Sequence, residues 1–152
     1  MSLEKDIQQG KFRNEFQKAT VNLLYTVGWL KERIKLIFDE ESITHQQFNI
    51  LRILRGSFPH PISTQTIRDR MLEKMSDVSR IVDRLVVKGL VKKVISERDR
   101  RLVDVLITDK GRKLLERLDL RESEIDGVIK GLTEKEAAQL NQLLDKIRQG
   151  RE

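Results

Sequence analysis

Met75–Thr108, MSDVSRIVDRLVVKGLVKKVISERDRRLVDVLIT, is the stretch on which the reading of the whole chain turns. Met75, Val78, Ile81, Val82 and Leu85 recur at steps of three and four residues, which places them on one face of a helix. Ser76, Ser79, Arg80, Asp83 and Arg84 fall on the other face. Lys88 and Gly89 predict an end near Lys88, because a cation suits the negative end of the helix dipole and glycine accepts the left-handed backbone that closes a helix. After Gly89 the period changes from helical to two. Leu90–Ser96 and Leu102–Thr108 are rich in Val, Ile and Leu and read as paired strands. The residues between them, Glu97-Arg98-Asp99-Arg100-Arg101, then form a hairpin tip whose three arginines have no core to serve.

A helix with a polar, basic outer face beside a basic hairpin is the layout of a winged helix-turn-helix. In that arrangement the helix enters a major groove and the hairpin reaches phosphates or the minor groove. Arg80 is the first candidate for a guanine edge, since a guanidinium can bond O6 and N7 together. Ser76, Asp77 and Ser79 are candidate base or phosphate contacts, and Arg84 either joins them or pairs with Asp83 or Glu73. Ser63, Thr64 and Gln65, at the expected start of a supporting helix, are further candidate contacts to DNA.

The runs Ser79-Arg80-Ile81-Val82-Asp83-Arg84-Leu85, Lys88-Gly89-Leu90-Val91, Asp99-Arg100-Arg101-Leu102-Val103-Asp104-Val105 and Thr108-Asp109-Lys110-Gly111 occur in an order that resembles the MarR family of bacterial transcription regulators. The likeness covers roughly residues 67 to 115, and the Asp-Arg-Arg wing is its most specific part. It implies a mainly α fold with a small β-wing, as a single MarR-type domain over residues 1–152. Within it, a winged-helix DNA-binding lobe over about 43–111 is flanked by long dimerisation helices over about 11–40 and 112–150.

Function is implied in the same way. The resemblance suggests a homodimer whose first and last helices intertwine, acting as a ligand-responsive repressor on a pseudo-palindromic operator in double-stranded DNA. Asp99 would pair with Arg101 and aim it into a minor groove, while Arg98 and Arg100 meet phosphates. Family members bind a small effector, often aromatic or anionic, between the dimer helices and the reading head. Phe12, Phe16, Tyr25, Trp29 and Arg52 are candidates to line such a pocket and equally candidates for core. The rival reading is a winged-helix interaction module docking on an acidic protein.

Charge agrees with a nucleic-acid partner. The net charge is +6, and residues 68 to 101 hold eleven Lys/Arg against six Asp/Glu, whereas the rest holds nineteen against eighteen. The excess therefore lies in the expected reading head. The chain has no cysteine, which removes disulfides, thiolate metal sites and thiol-based sensing together. Acidic residues are interspersed with Lys and Arg at helical spacing, as in surface pairs, and the glycines are dispersed, so neither a catalytic dyad nor a phosphate loop stands out. We expect no enzyme activity, no cofactor and no metal, with His45 a first-turn surface residue. The start, MSLEKDIQQGKF, lacks the apolar core of a secretory signal, and the most apolar run, Val21–Leu30, is interrupted by Asn22, Thr26 and Gly28. A cytoplasmic protein with no membrane partner is expected.

Along the remainder, residues 1 to about 10 carry no period and read as a frayed arm. Phe12, Phe16, Ala19, Leu23, Val27, Leu30, Ile34 and Ile37 predict one long amphipathic helix, longer than a small lobe needs, that ends at Asp39-Glu40-Glu41. Thr44 and Gln47 have capping-box spacing, with Ile43 and Phe48 at the staple positions of a helix that runs to about Arg55. Ile62 is expected to pair with the wing. Thr108 should cap a helix that continues to about Lys130. A second capping box at Thr133 and Glu136 opens a last helix whose seam is Ala137, Leu140, Leu143, Leu144 and Ile147.

Overall fold

The computed structural model describes residues 2–150. Helix α1 covers Leu3–Asp6, α2 Glu15–Asp39, α3 His45–Ser57, α4 Thr64–Arg70 and α5 Val78–Val87. A three-stranded antiparallel sheet is built from β1 (Ile62–Ser63), β2 (Val91–Ile95) and β3 (Val103–Ile107), with β3 in the middle. Helices α6 (Asp109–Asp119), α7 (Glu122–Asp126) and α8 (Glu134–Gln149) follow, with a 3-10 turn at Gly127–Ile129. The chain separates into two compact units, one up to Leu120 and one from Arg121.

In the first unit the core is the meeting of one face from each of α3 to α6 with the sheet. Ile50, Leu51 and Leu54 of α3, Ile67 of α4, Val78, Val82 and Leu85 of α5, Val105 and Ile107 of β3, and Leu115 and Leu118 of α6 are all buried. Each such side chain contributes about 1.5–3 kcal/mol relative to an exposed position. Register follows from the same faces. Val91 opposes Ile107 and Ile95 opposes Val103, while Ile62 opposes Val105 as expected. Gly111 is fixed by close approach, because a Cβ there would lie 2.3 Å from the Leu90 carbonyl oxygen and 2.8 Å from Ile107 Cγ1. Gly89 has φ +71 and closes α5 as expected, with Lys88 as its cap residue.

The capping box of α3 forms as its spacing requires: Thr44 Oγ1 accepts from the Gln47 backbone N–H at 3.1 Å, and Gln47 Oε1 accepts from that of Thr44 at 3.1 Å. Thr44→Ala removes one of the two bonds and should lower stability by about 1 kcal/mol, seen as an earlier chemical-denaturation midpoint. His45, the first residue of this helix, is half-buried against the Phe38 ring at 6.0 Å rather than a plain surface group, and burial pushes its pKa down.

Several expectations need correction. The arm contains α1, whose Leu3 is buried and whose Glu4 is ion-paired to Lys18 of α2 at 2.5 Å; four residues are too few to show a period. Helix α2 starts at Glu15, capped by Asn14, so Phe12 precedes it. Of the long stripe on α2 only Ile37 is buried, and Phe16 is 85% exposed. Helix α3 continues to Ser57. Met75 is 98% exposed and lies before α5, because Asp77 caps that helix and residues 72–76 form turns. The helix expected up to Lys130 ends at Asp119, for a visible reason. Its buried stripe, Gly111, Leu114, Leu115 and Leu118, would continue at 121 or 122, which are Arg and Glu. Arg55 also clamps Asp119 at this end with bonds of 2.6 and 3.2 Å.

Candidate nucleic-acid interface

The basic surface is assembled from three segments. Helix α5 is amphipathic enough to bury Val78, Ile81, Val82 and Leu85, and that leaves Ser79, Arg80, Asp83 and Arg84 exposed. Asp77 Oδ1 accepts from the Arg80 backbone N–H at 3.1 Å and is occupied as the helix cap. Ser76 sits one residue earlier, half-buried, in the turn. Asp83 is taken by Lys93 of β2 at 2.6 Å, and Glu73 by Lys31 and Gln46. Among the described residues, Arg84 makes neither of the two pairings considered for it. Its charge and that of Arg80 face outward.

The wing tip is ordered by a local device. Asp99 Oδ1 accepts from the Arg101 backbone N–H at 3.0 Å and from its Nε at 3.1 Å, and Asp99 Oδ2 from Nη2 at 3.0 Å. These bonds hold the Asp99 carboxyl below the usual carboxylate range and raise the Arg101 pKa further. The guanidinium is thus fixed in direction while its side chain stays 89% exposed. The Asp99 carbonyl accepts from Leu102 N at 2.9 Å, which closes the turn, and Ser96 Oγ accepts from the Arg98 backbone N–H at 3.3 Å. Arg98 and Arg100 are exposed beside it.

Ser63, Thr64 and Gln65 meet both other elements. With Ser79 and Val82 of α5 and Lys93, Arg101, Leu102, Val103 and Val105 of the wing, they line one cleft of about 430 Å³. Within it Ser63 Oγ caps α4 by accepting from Thr66 N at 3.1 Å, and Gln65 is engaged with Asp69 and Arg68. The cleft has an apolar floor, a rim of hydroxyls and amide, and two cations. Hydroxyl and guanidinium groups so placed are suited to phosphate and sugar contacts.

Sequence reasoning missed Lys93 as part of this cleft. The signal was available in part, because β2 alternation puts Lys93 on the same face as Val91, and there it pairs with Asp83 of α5. The proposed effector lining does not come together. Tyr25 and Trp29 share a cleft between α1 and α2, Phe12 lies near Lys18, Phe16 is exposed, and Arg52 lies over the Phe48 ring. Among the described residues, no group of three or more His, Asp or Glu could hold a metal, and no helix is long and apolar enough to cross a membrane.

A capped supporting helix, a second helix with an outward basic face and an antiparallel hairpin packed beside it define a winged helix-turn-helix protein. Comparison with known proteins narrows the class. A MarR family model matches residues 42–102. The HTH-type transcriptional regulator PecS of Dickeya dadantii is 29% identical over 153 residues, covering 93% of this chain and 90% of that regulator. A MarR transcription factor from Planctomyces limnophilus is 32% identical, with 89% of this chain and 98% of that one covered and a TM-score of 0.67. A mutant MarR from E. coli complexed with operator DNA shares the fold at a TM-score of 0.80 and 24% identity, with 91% of this chain and 99% of that one covered. The chain belongs to the MarR family of winged-helix transcription regulators. Its fold is the mainly helical one with a small wing that the sequence implied, and the family comprises regulators rather than enzymes.

Proposed function

We propose that this chain is a homodimeric repressor that binds a pseudo-palindromic operator in double-stranded DNA and releases it in response to a small-molecule effector. The observation that carries the DNA reading is the cleft in which Ser63, Thr64 and Gln65, Ser79, and Arg101 meet; Arg80 and Arg84 of α5 and Arg98 and Arg100 of the wing are exposed on the elements that form it. Arg80 is assigned to a base edge and Arg101 to a minor groove. Arg98 and Arg100 are assigned to phosphates, with Ser79 and Thr64 as polar contacts. Asp77 serves this surface indirectly, by starting α5.

Homodimerisation is supported by exposed apolar side chains on both long helices. Leu24, Val27 and Leu36 of α2 are exposed, α8 has no buried residue, and Leu140, Leu143 and Ile147 lie open along its seam. A second copy of the chain is the partner with matching stripes. In this reading about 43–111 is the DNA-binding lobe, and about 11–40 and 112–150 supply the dimer contacts. The effector part of the proposal rests on the cleft that Tyr25 and Trp29 line. A cytoplasmic location belongs to the same proposal.

The DNA reading is tested by binding to a random-sequence duplex at increasing salt. A dimer that meets on the order of six to ten phosphates should show a log–log slope of about −0.9 per phosphate, between roughly −5 and −9. A flat dependence would contradict it, and binding to an acidic protein instead would favour the interaction-module reading.

A further inference from the structure

The reading helix α5 is strapped at both ends to the elements before it. At its far end, Lys88 Nζ donates to the Ser42 carbonyl, in the turn that follows α2, and to Gln47 Oε1 at 3.1 Å. Ahead of it, the turn that leads in from α4 is held three times. Buried Asn49 accepts from the Leu72 backbone N–H at 2.9 Å through Oδ1. Gln46 Nε2 donates to Glu73 Oε2 at 2.9 Å, and Lys31 Nζ reaches Glu73 Oε1 at 2.6 Å. Gln46 and Asn49 belong to α3, inside the lobe. Lys31 belongs to α2, so within this set only the Lys31 bond carries the position of α2 to the segment that launches α5.

We propose that Glu73 is a positioning residue that sets the separation of the two reading helices on DNA, by holding the turn before α5 to α2 through Lys31 and to α3 through Gln46. This rests on the dimeric DNA-binding reading above. Both Glu73 oxygens are occupied by donors from different helices, and those donors, Lys31 first, lower its pKa and keep it ionised. The exposed apolar neighbours Leu72 and Met75 give the turn little packing to hold it. Side-chain bonds therefore fix where α5 begins, about one turn before Arg80. Half-sites on DNA demand such fixing. One added base pair displaces a half-site by about 3.4 Å and rotates it by about 35°, so two rigidly held heads cannot follow and only one engages. Loss of the second engagement should weaken binding by on the order of 10²-fold.

The test is competition binding on a duplex carrying the inverted repeat preferred by the parent chain, and on versions with one base pair added or removed at its centre. The parent should show that penalty of about 10²-fold, and its failure to bind duplex DNA would overturn the functional reading itself. Glu73→Ala, and Lys31→Met on the exposed face of α2, should cut the penalty to under about tenfold while leaving base preference within each half-site unchanged. A merely destabilised lobe would lose affinity equally on all three duplexes and keep the ratio. The exchanged pair Lys31→Glu with Glu73→Lys should restore the penalty, because the Gln46 amide can turn its oxygen toward the new ammonium. A penalty unchanged in Lys31→Met, with the variant folded and dimeric, would overturn the proposal while leaving the DNA reading intact.

Discussion

A chain cut after Leu132 is expected to lose its dimer and, with it, tight binding to duplex DNA. The cut removes α8, in which no side chain is buried and Leu143 is 59% exposed. A stripe of Leu140, Leu143 and Ile147 beside a capping box built by Thr133 and Glu136 marks a helix made to be covered. An isolated helix of its sixteen residues is marginal in water, so packing must supply the rest of its stability. Sedimentation should show a monomer, or aggregates driven by the apolar surface left open on α2. With one reading head per particle, affinity for a two-half-site duplex should fall by on the order of 10²- to 10⁴-fold. A truncated chain that remains a well-behaved dimer would place the subunit interface elsewhere.

The second large effect is expected at the wing. Arg101 is held by three bonds to Asp99 and yet exposes almost all of its side chain, which is the arrangement of a probe rather than of a hairpin staple. Narrow A·T-rich minor grooves concentrate negative potential and attract a guanidinium so presented. Arg101→Ala should weaken binding by roughly tenfold on duplexes with A·T-rich flanks, less on G·C-rich flanks, and reduce the salt slope by about one. Asp99→Ala should reproduce part of the loss, because it releases the arginine without removing its charge. Arg80→Ala should behave differently and flatten base preference at one position of each half-site, where a bidentate contact is worth about 1–3 kcal/mol. All three chains should keep the parent circular dichroism spectrum, since none of these side chains is buried. If Arg101→Ala binds every duplex as tightly as the parent, the wing is only a hairpin.

Legibility in the sequence followed the strength of the local signal. The change of period after Gly89, the Thr44 and Thr133 capping boxes and the Ile62 pairing were readable because each rests on a few residues at fixed spacing. The start of α5 was not, because Met75 stands three residues before Val78 and mimics the apolar face of a helix that Asp77 begins later. The end of α6 was misjudged for the opposite reason: Leu118, Glu122 and Ile125 keep helical spacing and suggested continuity, while the buried face stops at Leu118 and runs into the charged Arg121 and Glu122. The wing arginines were chosen from sequence, but that Arg101 meets Ser63 and Thr64 at one cleft was not readable there, since it depends on the β1–β3 pairing. Aromatic residues were the poorest guide, because spacing alone cannot tell a pocket from an exposed stripe on α2.

Whether two copies of this chain read a symmetric duplex through α5 and the wing is decided by selecting duplexes from a fully randomised pool at moderate salt and then weighing the bound species by sedimentation. The expected outcome is enrichment of an inverted repeat whose half-sites lie about 10–10.5 base pairs apart, bound by two chains on the order of 10³-fold or more tighter than the unselected pool. Enrichment of no sequence, or of a single unrepeated site held by one chain, would contradict it.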